Sequence, residues 1–252
     1  MGKTVSVHSF RGGTGKSNIT ANLATYCAMQ GAKVGVIDTD IQSPGVHVIF
    51  GLGNKKLKNT LNDFLFKKCD IDSVAVDVTK NLKIKGDGKL YVFPAALDAN
   101  EITKVLREGY EVTNMSEGFS EIMGSKSLDY LFIDTHPGLN EETFLSIALS
   151  DILLVILRPD EQDYLGTAVT LEISKKFEIP KIFLIMNKLL PKYKINEVTS
   201  KLTKTFHVPV AGIIYFSEEF ADAASKDVFI VNNPEHAFSK IISEVYGHLI
   251  ED

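Results

Sequence analysis

The stretch Phe10-Arg11-Gly12-Gly13-Thr14-Gly15-Lys16-Ser17 constrains this chain more than any other. Before it, Thr4-Val5-Ser6-Val7-His8 reads as a short buried strand. After it, Ile19, Leu23, Ala24, Cys27 and Ala28 recur at helical spacing through 16–30. A glycine-rich turn between strand and helix suits a triphosphate for three reasons. Its glycines let backbone N–H groups turn inward, the helix N-terminus adds partial positive charge, and Lys16 reaches the β/γ-phosphates. The Ser17 hydroxyl suits Mg²⁺, an ion that keeps most of its waters. The strict pattern wants a glycine where Phe10 stands, so a literal search misses this site. A plain connecting turn is one alternative reading. A dinucleotide-binding turn is another: Asp38 falls where its ribose-binding acid would lie. That fingerprint needs a glycine where Asn18 sits, however, and has no use for Lys-Ser.

The 252 residues suffice for one large α/β domain or two small ones, and a 44% hydrophobic content supports a sizeable core. A net charge of −5 argues against a protein that coats nucleic acid over its whole surface, but leaves room for a local basic patch. No apolar run reaches the ~18 residues of a membrane span, and the chain leads directly into its first strand. Neither a span nor a signal peptide is expected. Cys27 and Cys69 lack C-x-x-C spacing, which suits a reducing cytosol and offers no cluster site. A cytoplasmic location follows as an expectation. Strand-like runs at 33–38, 90–94, 128–134, 152–157, 182–187 and 210–216 are mostly apolar on both faces. They alternate with helical stretches such as 141–149, 163–176 and 195–206. The expected fold is α/β: a doubly wound, mostly parallel sheet with helices on both faces, of the P-loop NTPase kind, as a single domain over 1–252. Residues 72–88 break the rhythm, and Gly86-Asp87-Gly88 marks a turn, so a small antiparallel hairpin is expected at one edge.

Asp38-Thr39-Asp40 ends the second strand, and Asp134 ends Leu131-Phe132-Ile133. The carboxyl ends of parallel strands line the ligand crevice, so these acids converge beside the glycine-rich turn. One carboxylate can orient Mg²⁺ or its waters while another positions an attacking water. Phosphoryl transfer asks mainly for placement and charge compensation. Taken alone, an Asp at a strand end is a helix cap or loop solvator; the combination with the turn gives these acids a site. After Asp134, Thr135-His136-Pro137-Gly138 brings the Gly138 N–H into reach of a γ-phosphate.

With these motifs, the chain resembles the MinD/ParA group of P-loop ATPases, whose deviant phosphate loop reads R/K-G-G-x-G-K-S/T. The similarity runs through nearly the whole chain. It includes Asp38-x-Asp40-x-Gln42, Asn59-Thr60-Leu61-Asn62-Asp63 and Asp134-Thr135-His136-Pro137-Gly138. The resemblance implies a Mg²⁺-dependent ATPase whose two subunits sandwich two ATP molecules face to face. Hydrolysis to ADP then breaks the pair and releases it from a surface such as membrane or nucleoid. By motif position, Gly12, Gly13, Thr14, Gly15, Lys16, Ser17 and Asn18 would hold the nucleotide. Ser17 would ligate Mg²⁺, with Asp38 and Asp134 holding the ion's water shell, and Asp40 would polarise the attacking water. Arg11 stands where the family usually carries a lysine that reaches the partner's phosphates. Arginine can grip phosphate bidentately, and a solvated loop arginine is the plain alternative. The resemblance further implies a protein activator of hydrolysis and a cargo to be positioned: a division site, a chromosome or plasmid, or an organelle. Two other readings stand beside it. One is a non-catalytic nucleotide-binding dimer switch. The other is a metal-centre maturation ATPase of the same superfamily, for which Cys27 and Cys69 lack the paired spacing.

Asn187-Lys188-Leu189-Leu190 follows the strand 182–186. Guanine readers use N-K-x-D; with Leu190 at the Asp position, guanine loses its acceptor, and the Asn187 amide suits adenine N6 and N7 instead. A turn residue after a strand is the plain reading of Asn187. The resemblance adds the loop Phe216, Ser217, Glu218 and Glu219 as the other wall of a base pocket. The eight lysines between Lys175 and Lys204 are opposed only by Glu178 and Glu197. They form either a non-specific DNA-binding stretch or, interleaved as they are with core strands, a solvated helix face. The tail stripe Ala237, Ile241, Ile242, Val245 and Leu249 reads as a helix docked on the sheet, with an amphipathic membrane anchor as the alternative. Arg158-Pro159-Asp160 and Gln162-Asp163 close the fifth strand near the crevice, a region the family often uses between subunits.

Overall fold

A computed structural model of the chain describes residues 2–53, 57–111, 113–223 and 226–251. The strands are β1 (Lys3–His8), β2 (Lys33–Asp38), β3 (Val76–Asp77), β4 (Lys89–Phe93), β5 (Tyr130–Asp134), β6 (Ile152–Leu157), β7 (Lys181–Leu189) and β8 (Val210–Tyr215). The helices are α1 (Lys16–Met29), α2 (Val46–Ile49), α3 (Leu61–Leu65), α4 (Ala99–Glu108), α5 (Thr113–Ser125), α6 (Glu141–Ala148), α7 (Glu161–Lys176), α8 (Ile195–Phe206), α9 (Glu218–Ala223), α10 (Phe229–Asn232) and α11 (Ala237–Ile250). The strands form one sheet in the order β3-β4-β2-β5-β1-β6-β7-β8.

The fold is the expected doubly wound α/β sheet. From β1 the chain crosses through α1 to β2, in one direction along the sheet. From β5 it runs through β6 and β7 to β8 in the other, so right-handed crossovers place the two sets of helices on opposite faces. One apolar layer joins α1, α2, α10 and α11 to Val5 and Val7 of β1, Val34 and Val36 of β2, Val92 of β4, and Ile152, Leu154 and Ile156 of β6. The opposite face carries two layers: Ile37, Phe93, Leu131 and Ile133 under α5, and Leu153, Val155, Leu184 and Met186 under α6 to α8. The direction of winding reverses at β1 and β5, and a crevice opens there at the strands' carboxyl ends.

The apolar runs place β2, β6 and α8 where the sequence leads one to expect them, because their core faces leave one register for burial. Strand β7 runs on to Leu189, past the expected end. The expected edge hairpin reduces to β3, whose two residues pair antiparallel with Val92 and Tyr91. The tail stripe is internal packing. Ile242, Val245 and Leu249 are fully buried as α11 lies on α1 and β8, so these side chains are not available to a membrane. No helix among the described residues is long and apolar enough to cross one.

One face of β1 is polar. The Ser6 hydroxyl donates to the Ser146 carbonyl on α6 (2.8 Å), and Ser150 donates to the Ser6 oxygen (2.6 Å). His8, fully buried, has Nδ1 2.9 Å from the Thr135 hydroxyl oxygen. The Thr135 hydroxyl also lies 3.1 Å from the Val7 carbonyl, which accepts the Thr135 N–H as well (3.2 Å). Nε2 of His8 has no partner. Burial first, then the positive Lys16, lowers the His8 pKa to about 3.

A base whose folded pKa lies below its unfolded value contributes stability that is lost as pH falls through that interval, here from 6.5 toward 3. We expect His8→Asn, which keeps a polar atom at the Nδ1 position, to lose this dependence. Between pH 7 and pH 4 the parent should therefore lose about 3 kcal/mol relative to the variant. Urea unfolding at the two pH values measures this, and an unchanged difference would show that His8 is not buried in its neutral form.

Candidate functional site

The loop after β1 closes on the N-terminus of α1. Gly15 takes φ +93°, a conformation that favours glycine. A side chain there would also run into the Asn187 amide. Asn187, buried at the end of β7, donates from Nδ2 to the Thr14 carbonyl (2.7 Å) and accepts from the Lys188 N–H (2.8 Å). Lys188 reaches over the loop from outside and donates from Nζ to the Gly13 carbonyl (2.8 Å). Two consecutive residues of β7 therefore grip the phosphate loop. This makes Asn187 a structural anchor as well as the candidate adenine reader, with one amide hydrogen left over. Lys188, read from the sequence within Asn187-Lys188-Leu189-Leu190 and as part of a basic stretch but given no role at the phosphates, contacts the loop. The dipeptide Asn187-Lys188 at a strand end was its signal.

Phe10, in the place of the usual glycine, fits because α7 offers no side chain opposite it. Gly166 lies against the Phe10 ring, and a Cβ there would overlap the ring. A lone glycine within a helical pattern was the sequence signal for this close approach. Arg11 points outward, with a side chain 42% exposed. It is not simply solvated: Nη1 lies 3.5 Å from Asp160 and 3.8 Å from Asp163 at the start of α7. Arg158 holds the same acids, with Nε 2.9 Å and Nη2 3.1 Å from the two oxygens of Asp163.

The three expected carboxylates gather at one end of the loop. Asp134 faces Val7 of β1 on one side and Asp38 of β2 on the other. Its Oδ1 accepts from Lys16 Nζ at 3.0 Å, and both residues are buried. Asp38 is enclosed: Oδ1 accepts from the Asp40 N–H (3.1 Å), and Oδ2 accepts from Gly45 (2.8 Å) and Val46 (3.1 Å). Burial, and next the neighbouring Asp134, push Asp38 up to about 8. Asp40 sits nearer the opening, its Oδ1 accepting from the Ser43 N–H (3.0 Å), and burial raises its pKa as well. A cleft of about 360 Å³ is lined by the loop from Gly12 to Asn18, including Ser17, and by Asp40, Ser43 and His136.

Gly138 departs from expectation in this conformation. It takes φ +86°, and its N–H donates to the Ser9 carbonyl (3.1 Å), so that proton is not free for a γ-phosphate. Phe216, exposed, begins the loop after β8 and is tied by its N–H to the Leu189 carbonyl (2.8 Å), which sets this loop beside that of Asn187. Ser217 accepts from the Phe220 N–H (3.1 Å), and Glu218 opens α9. Among the described residues no three His, Cys, Asp or Glu side chains form a protein-only metal site. Ser17, Asp38 and Asp134 are hard oxygen donors, a sparse set that fits Mg²⁺ completed by water and phosphate oxygens. Cys27 lies in the α1 layer and Cys69 on the opposite face of the sheet, so they cannot form a pair.

The chain matches the family described as CobQ/CobB/MinD/ParA nucleotide binding domain across residues 5–230. It belongs to that family. An uncharacterized ATP-binding protein of Methanocaldococcus jannaschii is 27% identical over 99% of this chain and 88% of its own length. The flagellum site-determining protein YlxH of Helicobacter pylori is 31% identical over 98% of this chain and 82% of its own. Among solved structures, the septum site-determining protein MinD complexed with Mg-ADP, from Pyrococcus horikoshii, superposes with a TM-score of 0.81. The match covers 100% of this chain and 97% of that one at 18% identity, a likeness of fold. This family member differs from the motif at Phe10, and the bare Gly166 explains how the fold accommodates it.

Gly166→Ala is expected to destabilise the chain by about 1–3 kcal/mol through overpacking on Phe10. Phe10→Gly in the same chain should remove most of that cost. A double-mutant cycle by chemical denaturation reads the coupling; additive effects would show that the two residues do not touch.

Proposed function

We propose that this chain is a Mg²⁺-dependent ATPase whose ATP-bound form dimerises and whose hydrolysis reverses the pairing. The observation that carries the reading is the Lys16–Asp134 pair at the base of the phosphate-loop cleft. A cation held in a dry site by one carboxylate, with two more beside it, is poised to exchange that partner for a triphosphate. In this reading Gly12 to Asn18 bind the phosphates. Ser17 ligates Mg²⁺, Asp38 and Asp134 hold its water shell, and Asp40 orients the attacking water. When bound, the ion would supply charge neutralisation to the phosphate oxygens. The free hydrogen of the Asn187 amide, with Phe216, Ser217 and Glu218, receives adenine.

Arg11 is the proposed contact with the partner's nucleotide. Its outward aim and exposure support that role, and its ion pairs with Asp160 and Asp163 are the contacts it would exchange. Residues 1–252 are proposed as one domain, a reading supported by the single sheet that takes strands from Lys3–His8 to Val210–Tyr215. We further propose a cytoplasmic protein that positions a cargo such as a division site, a chromosome or plasmid, or an organelle. It would work with a protein activator on a membrane or nucleoid surface. The naming of two similar proteins for determining a site supports this.

Sedimentation with ATP, with ADP and without nucleotide, alongside phosphate release, tests the reading. The parent should be a dimer only with ATP, and it should turn over. A size that ignores ATP would remove the dimer switch, and absent turnover with intact binding would favour a non-catalytic switch. Lys16→Ala should abolish binding of a labelled ATP analogue. Asp40→Ala should keep binding and leave a long-lived dimer. Arg11→Ala should spare monomeric binding yet weaken dimerisation by roughly ten- to a hundredfold, the equivalent of one charge-assisted contact of about 1.5–3 kcal/mol. Arg11→Lys should restore most of it.

A further inference from the structure

His136 takes no part in the motif roles above, yet its side chain lines the phosphate-loop cleft together with Asp40. Its surroundings fix which ring nitrogen carries the proton. Asn140 caps α6 by accepting the Thr143 N–H on Oδ1 (2.8 Å), and only the oxygen of an amide can accept. Nδ2 of Asn140 is therefore turned the other way, where it donates to Glu142 (3.3 Å) and lies 3.4 Å from Nδ1 of His136. Facing an amide donor, Nδ1 accepts, so the proton of the neutral ring sits on Nε2. The backbone of His136 is tied to the same helix, its carbonyl accepting from the Thr143 hydroxyl (3.2 Å).

Nε2 lies 3.9 Å from Oδ1 of Asp40, too far for a direct hydrogen bond. A water bridging the two groups would accept from Nε2–H and donate to the carboxylate. One lone pair on its oxygen is then left free. The Gly138 N–H, which the sequence places near a γ-phosphate, is engaged with Ser9, which leaves His136 as a side-chain donor of this motif facing the cleft.

We propose that His136 is a catalytic residue of the hydrolysis, holding the attacking water jointly with Asp40. This rests on the ATPase reading above. In the step, the free lone pair of the water forms the new bond to the γ-phosphorus. The bond from phosphorus to the bridging oxygen breaks, and its electron pair leaves on ADP. Both water protons leave with the product as dihydrogen phosphate before it exchanges with solvent. Asn140 is the positioning residue: it keeps a proton on Nε2 and a lone pair off it.

The test uses the full chain in steady-state and single-turnover ATP hydrolysis, with binding of a labelled ATP analogue measured in parallel. His136→Ala should lower kcat by about a hundredfold, the cost of a misplaced reactant, with the analogue's affinity unchanged. His136→Gln, which keeps an N–H at the Nε2 position, should recover most of the rate. Asn140→Asp keeps the helix cap but replaces the donor by an acceptor; it should move the ring proton to Nδ1 and lower kcat as His136→Ala does. Nitrogen chemical shifts of His136 read the tautomer directly. Four results would overturn the proposal: parental turnover in His136→Ala, equal loss of analogue binding, no recovery in His136→Gln, or an Nδ1–H tautomer in the nucleotide-free parent. If the parent chain itself fails to hydrolyse ATP, the ATPase reading falls and this proposal with it, whereas normal parental turnover isolates the failure to His136.

Discussion

The buried pair between Lys16 and Asp134 is the interaction around which the cleft is organised. Strand register sets Asp134 between β1 and β2, with Asp38 directly alongside it. Three acids gathered at neighbouring strand ends would repel one another in so dry a place, and the rise of Asp38 to about 8 reflects its burial together with that crowding. Lys16, brought in by the first turn of α1, offsets one of these charges. Breaking a buried pair by deleting one partner costs about 3–5 kcal/mol, because the other charge is left without compensation. The pair therefore ties the turn of the phosphate loop to the centre of the sheet. It also means that a phosphate entering the cleft competes with a carboxylate already in place.

The loop itself is held from three sides before any ligand arrives. Asn187 fixes the Thr14 carbonyl from beneath, Lys188 fixes the Gly13 carbonyl from outside, and Phe10 is pressed against the bare surface of α7 at Gly166. Held by β7, those two carbonyls are kept from turning into the cleft. Such preorganisation spares the ligand the cost of ordering the loop. It also links β7, α7 and α1 mechanically, so movement at the start of α7 reaches the phosphate loop through Phe10 and Arg11.

Much of this was legible in the sequence, for reasons that differ from element to element. Runs such as Ile152–Leu157 are apolar on both faces, and that pattern permits little besides a buried parallel strand. The glycine-lysine-serine turn and the aspartates at strand ends carry their chemistry in residue type and spacing; of the three acids Asp40 lines the cleft, and Asp134 meets it through Lys16. What remained hidden depends on contacts between distant segments. Nothing local to Asn187 says that its amide will meet Thr14, and nothing local to Arg11 names Asp160 and Asp163 as its partners. His8 reads as one more strand residue until its neighbour Thr135 is known. The position of Gly138 was anticipated, but the engagement of its N–H with Ser9 depends on how two loops pack.

The contacts of Arg11 bear on how such a site is switched in the proposed dimer. Its pairs with Asp160 and Asp163 are long, at 3.5 and 3.8 Å, and the arginine is substantially exposed. Pairs of that kind contribute about 0–1 kcal/mol. Asp163 is in any case satisfied by Arg158 through two shorter hydrogen bonds, so releasing Arg11 leaves no buried charge behind. A charge-assisted bond to phosphate contributes about 1.5–3 kcal/mol. Transfer of Arg11 from its own α7 to a partner's nucleotide is therefore downhill once the two subunits meet. The acids of α7 act as a weak resting place that keeps the guanidinium ordered without locking it. Lysine would rest there less firmly, since it lacks the planar fork that spans two carboxylates. In this chain the arginine and the paired acids at the start of α7 form one unit, and in the proposed dimer the side chain that would leave is the one whose departure costs least.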